Sequence, residues 1–429
     1  MPKVWRPKGN VKGVLVFRLS CCAVVLLCCT VALVRAVEPE AAVLNVDFGK
    51  ELGRVSPRTG FLGGLRDELP DELIQPLNPA LWRIGHQFRG RIKAGLTGAI
   101  ARVEKLGATY KLVMSDLIDS KPKDWAKYEA DVKKLVADAG AAAARVIWEP
   151  VNEPDISHKP LEKYYELYGH AFKALREANE GLNICGPSFA FPSYEKYRAF
   201  LDYCSEHKLE CNSLAWHYCA WDPNQPEQAK WQLGRLREFL KEYPEQKIKE
   251  IHCDEWGAGP DKPGRLHPGR AVVWFHYLEN IYQVDRACRA NWGKADDYLG
   301  GIVTPKGEPY PVYHAYRWYA QAKGHTRVES TGNSKSLACL ASKSDGRREV
   351  LVGSIGKGTR AVTLDLKEAA LKDYKLEVRM LPGSDLETPL AEAGIPTCQD
   401  FTVDKQADGL RVTLPHVEEN QAYLLVWVK

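Results

Sequence analysis

Between residues 58 and 325, short apolar runs alternate with amphipathic stretches, and this alternation limits the fold more than any other feature of the chain. Eight runs read as strands: TGFLGGL (59–65), LWRIG (81–85), YKLVMS (110–115), ARVIWEP (144–150), LNICGPS (182–188), SLAWHY (213–218), KEIHCDEW (249–256) and RACRANW (286–292). Helical patterns fill most of the gaps. In 124–140, Trp125, Tyr128, Val132, Leu135 and Val136 recur near a 3.6-residue period, and Gly140 ends the run. Stretches 161–179, 227–243 and 269–284 behave alike, and 311–324 supplies a last helix with a glycine stop. Eight strand–helix units over this length predict an α/β fold, a (β/α)8 TIM barrel. A doubly wound open sheet is the competing layout, but no glycine-rich phosphate loop follows the first strand.

After Gly324 the texture changes to short alternating strands separated by Gly, Asp, Asn and Lys turns, which predicts a C-terminal all-β sandwich over 326–429. The segment AVLNVDFG (42–49) is also strand-like, so residues 37–57 are expected to supply an N-terminal strand that can join the sandwich, with 58–325 forming the catalytic barrel.

Residues 1–36 have the make-up of a signal peptide. Lys3, Arg6, Lys8, Lys12 and Arg18 precede the uncharged run LSCCAVVLLCCTVALV (19–34), and a small residue, Ala36, stands at the expected cleavage point. Export to a periplasmic, extracellular or lumenal space is the expectation, with a retained anchor helix as the rival reading. Taking the six Lys and Arg of this segment from the total of 59 leaves 53 basic against 55 acidic side chains. The formal +4 therefore belongs to the targeting segment, and no basic stripe marks a nucleic-acid partner. Of twelve cysteines eight follow this segment. Cys204 with Cys211, and Cys339 with Cys398, could form disulfides in an exported protein, whereas Cys185 and Cys253 sit in apolar runs as buried thiols would. No Cys/His cluster has metal-site spacing, so no cofactor or metal is expected.

Two strand ends carry chemistry. The fourth strand runs into Asn152-Glu153-Pro154 and the seventh into Glu255-Trp256-Gly257. In a barrel the active site lies at the C-terminal ends of the strands, and the fourth and seventh lie across its mouth. Two carboxylates flanking one ligand suit glycosidic cleavage: one protonates the leaving oxygen while the other attacks the anomeric carbon or activates water. Each motif alone could be a turn or a solvated acidic pair; their joint placement favours function.

WEPVNEPD (148–155) resembles the WEVWNEPD signature of glycoside hydrolase family 39, in the clan A glycosidases. HCDEWG (252–257) resembles the strand-seven nucleophile segment of that clan, and GGIVTPKGEPYPVYHAYRWYA (300–320) its strand-eight exit and last helix. The resemblance implies a retaining enzyme of the β-xylosidase and α-L-iduronidase kind, with Glu153 as acid/base and Glu255 as nucleophile. It further implies that Asn152 binds the sugar 2-hydroxyl, that Arg83 holds the nucleophile ionised, and that Trp292 floors the reacting sugar. His217 and Tyr218 match the clan's His-x-Tyr region with the two residues adjacent, and His86 lies one place beyond the family's Arg-x-His. Val151 stands where the family usually has Trp, and the 102 residues between the glutamates imply trimmed loops. These departures bear on the substrate rather than on the reaction type.

The expectation is thus a secreted retaining glycoside hydrolase of oligo- or polysaccharides, its partner a carbohydrate. An endo-acting glycanase of the same clan and a non-catalytic carbohydrate-binding barrel are the alternatives.

Overall fold

The computed structural model describes residues 42–85, 92–218, 235–257, 266–282, 284–290 and 298–429. The expected signal peptide therefore lies outside the described residues, as do Cys219, His86 and Trp292. Strand β1 (Ala42–Arg54) is followed by β2 (Thr59–Leu62), β3 (Leu81–Ile84), β4 (Thr109–Val113), β5 (Ile147–Glu149), β6 (Asn183–Ile184), β7 (Ser213–Tyr218), β8 (Glu250–Trp256) and β9 (Arg286–Arg289). Strands β2 to β9 form one parallel eight-stranded sheet in the order β6-β5-β4-β3-β2-β9-β8-β7. The sheet ends, β6 and β7, meet through single parallel bridges, Cys185 to Ser213 and Phe189 to Trp216, with the Gly186 N–H donating to the Ser213 carbonyl at 3.1 Å. The circle is thereby closed as a barrel.

Local chemistry explains the helices around it. Asp124 caps Trp125–Ala139 by accepting from the Lys127 N–H at 3.1 Å, and Gly140 ends it at φ 58°, a conformation that favours glycine. Glu162–Ala178 follows, then Tyr194–Glu206, capped by Ser193, and Pro311–Gln321, which opens on a proline. Two expected helices depart from the pattern where they are described. Of 227–243, residues 227–234 lie outside the described set, and Leu236–Phe239 passes into single 3-10 turns broken by Pro244. Pro268–His276 gives way to a π turn at Tyr277–Tyr282. Among the described residues no helix is long and apolar enough to cross a membrane.

The C-terminal strands are β10 (Thr326–Thr331), β11 (Leu337–Ser344), β12 (Arg347–Ser354), β13 (Arg360–Lys367), β14 (Lys375–Leu381), β15 (Thr402–Lys405), β16 (Gly409–Val417) and β17 (Ala422–Val428). With β1 they form one continuous sheet, β14-β17-β12-β11-β10-β1-β13-β16-β15, enclosing a single apolar cluster that includes Leu44, Val46, Val352, Leu364, Leu425 and Trp427. Strand β1 runs antiparallel to β10 and parallel to β13. Helix Pro268–His276 meets this sheet at backbone contact: a Cβ on Gly269 would lie 2.3 Å from the Ser354 carbonyl oxygen, and one on Gly353 2.3 Å from that of Gly269. Only two glycines allow so close an approach.

The cysteine pairs suggested by spacing are not bridged. Cys185, Cys204, Cys211, Cys253, Cys288 and Cys339 are buried free thiols and Cys398 a half-buried one. Cys211 instead donates to the carbonyls of Gly186 (3.2 Å) and Ser213 (3.0 Å), and Cys398 to that of Asp400 (3.5 Å).

Candidate active site

The barrel lumen is built by strand alternation, which sends every second side chain inward. Leu62, Leu81, Ile147, Cys185, Ala215, Cys288 and Ala290 make one apolar cluster. The next inward positions are charged or polar: Arg83, Lys111, Glu149, His217, His252 and Asp254, all buried. Their neighbours Trp82, Tyr110, Leu112, Trp148 and Trp216 point outward into the main core between barrel and helices. Lys111, Glu149, Asp254 and the Ser188 beside them are constituents that the motif reading missed. The signal of the three charged ones in the sequence was a charge at an alternate position inside an otherwise apolar strand.

Strand β8 breaks the alternation. Trp216 pairs with Cys253 but His217 with Glu255, and on the other side Cys253 pairs with Ala287 but Trp256 with Arg289. One extra residue therefore sits in β8 against both neighbours, which is a β-bulge. Cys253 and Trp256 remain in the outer core, and two successive carboxylates, Asp254 and Glu255, both enter the lumen. A regular strand would have turned Glu255 away.

Glu153 is aimed by a different device. It holds φ 47° and ψ 59°, a left-handed conformation that L-residues with side chains rarely take. Pro154 opens a single helical turn after it. The loop is tied down on both flanks: the Asn152 N–H donates to Ser115 Oγ (3.1 Å) and the Glu153 N–H to the Ser188 carbonyl (3.2 Å). Asp155 accepts from the Ala190 and Phe191 N–H groups at 2.9 and 3.0 Å and from Lys196 Nζ at 2.8 Å. The abrupt turn from buried strand to polar NEPD thus locks one glutamate over the barrel mouth.

Arg83 organises the site. Its guanidinium donates through Nε and NH2 to both oxygens of Glu149 (2.8 and 2.5 Å), through NH2 to Asn152 Oδ1 (2.7 Å) and through NH1 to Glu255 Oε1 (2.7 Å). This fork geometry is one a lysine cannot reproduce. His217 Nδ1 donates to Glu153 Oε1 at 3.0 Å and lies 3.7 Å from Glu255 Oε1, and the contacting atoms of all three residues fall within 4.8 Å of one another. Burial opposes the charged imidazole of His217, but the charge of Glu255 and the hydrogen bond to Glu153 outweigh it and lift its pKa above the ordinary value. Lower in the lumen Lys111 pairs with Asp254 and lies 3.4 Å from Glu149 Oε2. Burial alone would raise the Asp254 pKa, yet Lys111, then Arg83, bring it down to about 2. Glu149 is likewise lowered, with Arg83 and Lys111 outweighing its burial.

The structure brings Arg83, Asn152, Glu153, His217 and Glu255 together. Tyr218, expected at the ligand, packs its ring against Trp216 (6.4 Å between ring centroids) and Trp274 (5.4 Å), because alternation along β7 puts it on the opposite face from His217. The placement of His86 and Trp292 lies outside the described residues. His217 with Glu149 and Asp254, or with Glu153 and Glu255, has the donor types of a metal site. The donor chemistry fits fixed cations better, since Arg83 and Lys111 already occupy the carboxylates.

No family model matches the chain. A β-xylosidase of Caldicellulosiruptor saccharolyticus is 22% identical over 232 residues, 48% of this chain and 47% of that protein, so the chain spans about half the length of the curated relative it matches. Among solved structures, N2152 from Neocallimastix frontalis superposes with a TM-score of 0.76 at 18% identity, over 91% of this chain and 100% of the other. The GH39 enzyme from Xanthomonas axonopodis pv. citri superposes with a TM-score of 0.66 at 14% identity, over 93% and 99% of the two chains. The chain is therefore similar, in fold and along nearly its whole described length, to the family 39 glycoside hydrolases that its two glutamate motifs resemble.

Proposed function

We propose that this protein is a retaining glycoside hydrolase acting on xylose-containing oligo- or polysaccharides. The observation that carries the reading is the joining of Glu153 and Glu255 through His217, their oxygens within 4.8 Å of one another, with Arg83 fixed on Glu255. Retaining enzymes hold their two carboxyls about 5–5.5 Å apart, whereas inverting ones separate them by about 6.5–9.5 Å to admit a water. The xylose preference rests on the name of the curated relative.

In this reading Glu255 attacks the anomeric carbon and forms a glycosyl ester. The bond to the leaving oxygen breaks as that oxygen takes the proton from Glu153. Glu153, now ionised, removes a proton from the incoming water, which cleaves the ester and returns the proton to Glu153. Arg83, hydrogen-bonded to Glu255 Oε1 at 2.7 Å, fixes the nucleophile's position. An assay on aryl glycosides and xylans, with proton NMR of the first-formed sugar, tests this directly. The product is expected to keep the configuration of the substrate; an inverted product overturns the mechanism. The panel also separates exo from endo action, which are both compatible with the two glutamates.

Export belongs to the same reading and is supported by the basic and apolar run of residues 1–36. The exported protein should begin near Val37 when its N-terminus is sequenced; a retained residue 1–36 segment points instead to an anchor.

A further inference from the structure

The lumen beneath the two glutamates holds a buried ion pair that the reaction described above does not use. Lys111 and Asp254 are both fully shielded from solvent and in direct contact. Asp254 is the residue that the β8 bulge adds to the lumen. Its Oδ2 takes Lys111 Nζ, with Ser188 Oγ at 3.3 Å and Arg83 Nε at 3.8 Å, while its Oδ1 has no hydrogen-bond partner among the described residues. Lys111 is in turn surrounded by Cys185 Sγ at 3.0 Å and His252 Nδ1 at 3.5 Å. A bulge that forces two adjacent carboxylates into one dry lumen is tolerable only if the extra charge is met by a cation. Three buried carboxylates, Glu149, Asp254 and Glu255, face two fixed cations, Arg83 and Lys111.

We propose that Lys111 is a positioning residue of the reaction: by clamping Asp254 it holds the β8 bulge that presents Glu255, and it sets the charge balance in which Glu255 acts. The proposal rests on the reading of Glu255 as nucleophile. The groups facing Asp254 and Glu255 are Arg83 from β3, Lys111 from β4, Glu149 and Glu153 from β5 and its loop, Cys185 just past β6, His217 from β7, His252 from β8 itself and Cys288 from β9. Changing Lys111 or Asp254 leaves in place both the Arg83 hydrogen bond to Glu255 and the His217 hydrogen bond to Glu153.

The test is the pH dependence of kcat/KM in four proteins: wild type, Lys111→Met, Asp254→Asn and the double variant. Removing Lys111 leaves three carboxylates against Arg83, so the acid limb should move up by about one pH unit. Removing the charge of Asp254 should move it down, and the double variant should return it close to wild type, because one charge of each sign has gone. A structural role alone lowers activity without shifts of opposite sign. An acid limb that stays put in soluble Lys111→Met or in soluble Asp254→Asn overturns the proposal, and so does a shift of Asp254→Asn in the upward direction. Should Lys111→Met not fold, the sign of the Asp254→Asn shift decides. Glu255→Ala run in parallel separates the two failures: activity surviving that change sinks the nucleophile reading itself, whereas an inactive Glu255→Ala with unmoved limbs sinks the role of Lys111 alone.

Discussion

Glu255→Ala is expected to abolish turnover of every glycoside, while Glu153→Ala fails selectively. The two side chains share His217 but differ in everything else around them. Glu255 is buried, sits on the bulge of β8 and is held by Arg83 at 2.7 Å, which suits a fixed nucleophile. Glu153 is a quarter exposed, sits on a loop and faces a histidine rather than a fixed cation, which suits a group that gives up a proton and takes one back. Loss of the nucleophile should cost at least about four orders of magnitude in kcat, whatever the leaving group. Loss of the acid should cost about 10²–10⁴-fold on unactivated glycosides, which need protonation, and little in the first step on aryl glycosides with good leaving groups. The glycosyl-enzyme that accumulates in Glu153→Ala should be released by azide, as a glycosyl azide with the configuration of the substrate. Equal losses on both substrate types, without azide rescue, would remove Glu153 from the acid/base role.

The second large effect is expected at Arg83, and here stability and activity can be separated. Arg83→Met strips the cation from Glu149 and Glu255 together and withdraws a hydrogen bond from Asn152. Removing one partner of a buried ion pair costs about 3–5 kcal/mol, because the remaining charge stays buried and uncompensated. Against a typical stability of about 5–15 kcal/mol that loss should lower the denaturant midpoint sharply. Glu149 accepts two of the guanidinium's hydrogen bonds, so Arg83→Met with Glu149→Gln should recover much of the midpoint. It should not recover activity, since Glu255 still lacks its partner. Arg83→Lys keeps the charge without the fork and should fall between. A double variant as unstable as Arg83→Met would show that Glu149 is not where the stability resides.

Local pattern carried the sequence a long way, for a physical reason. Strand periodicity, helix caps and glycine stops are decided within a few residues, so the eight barrel strands, the helix Trp125–Ala139 with its Asp124 cap and Gly140 stop, and the polar break after Trp148 are written in short stretches. The two glutamates were found because each lies at or just past the C-terminal end of such a strand. Where local preference met a tertiary requirement, the pattern misled: two cysteines seven residues apart suggested a bridge, but Cys211 is turned to the Gly186 and Ser213 carbonyls where the barrel closes.

What the sequence alone determined is therefore the inventory and order of elements and the two strand ends that carry glutamate. The lumen was decided by the tertiary structure. Lys111 and Asp254 are 143 residues apart, and Arg83 and Glu255 are 172 apart. The pairing of Lys111 with Asp254 is not written in one dimension, because nothing nearby in the chain says which charge will meet which in the dry. The register of β8 against β7 and β9 decided that Asp254 and Glu255 would both face inward, and the same alternation turned Tyr218 outward to Trp274. A bulge is a mismatch between neighbouring strands, so no single strand contains it, and the site exists only once the barrel has closed.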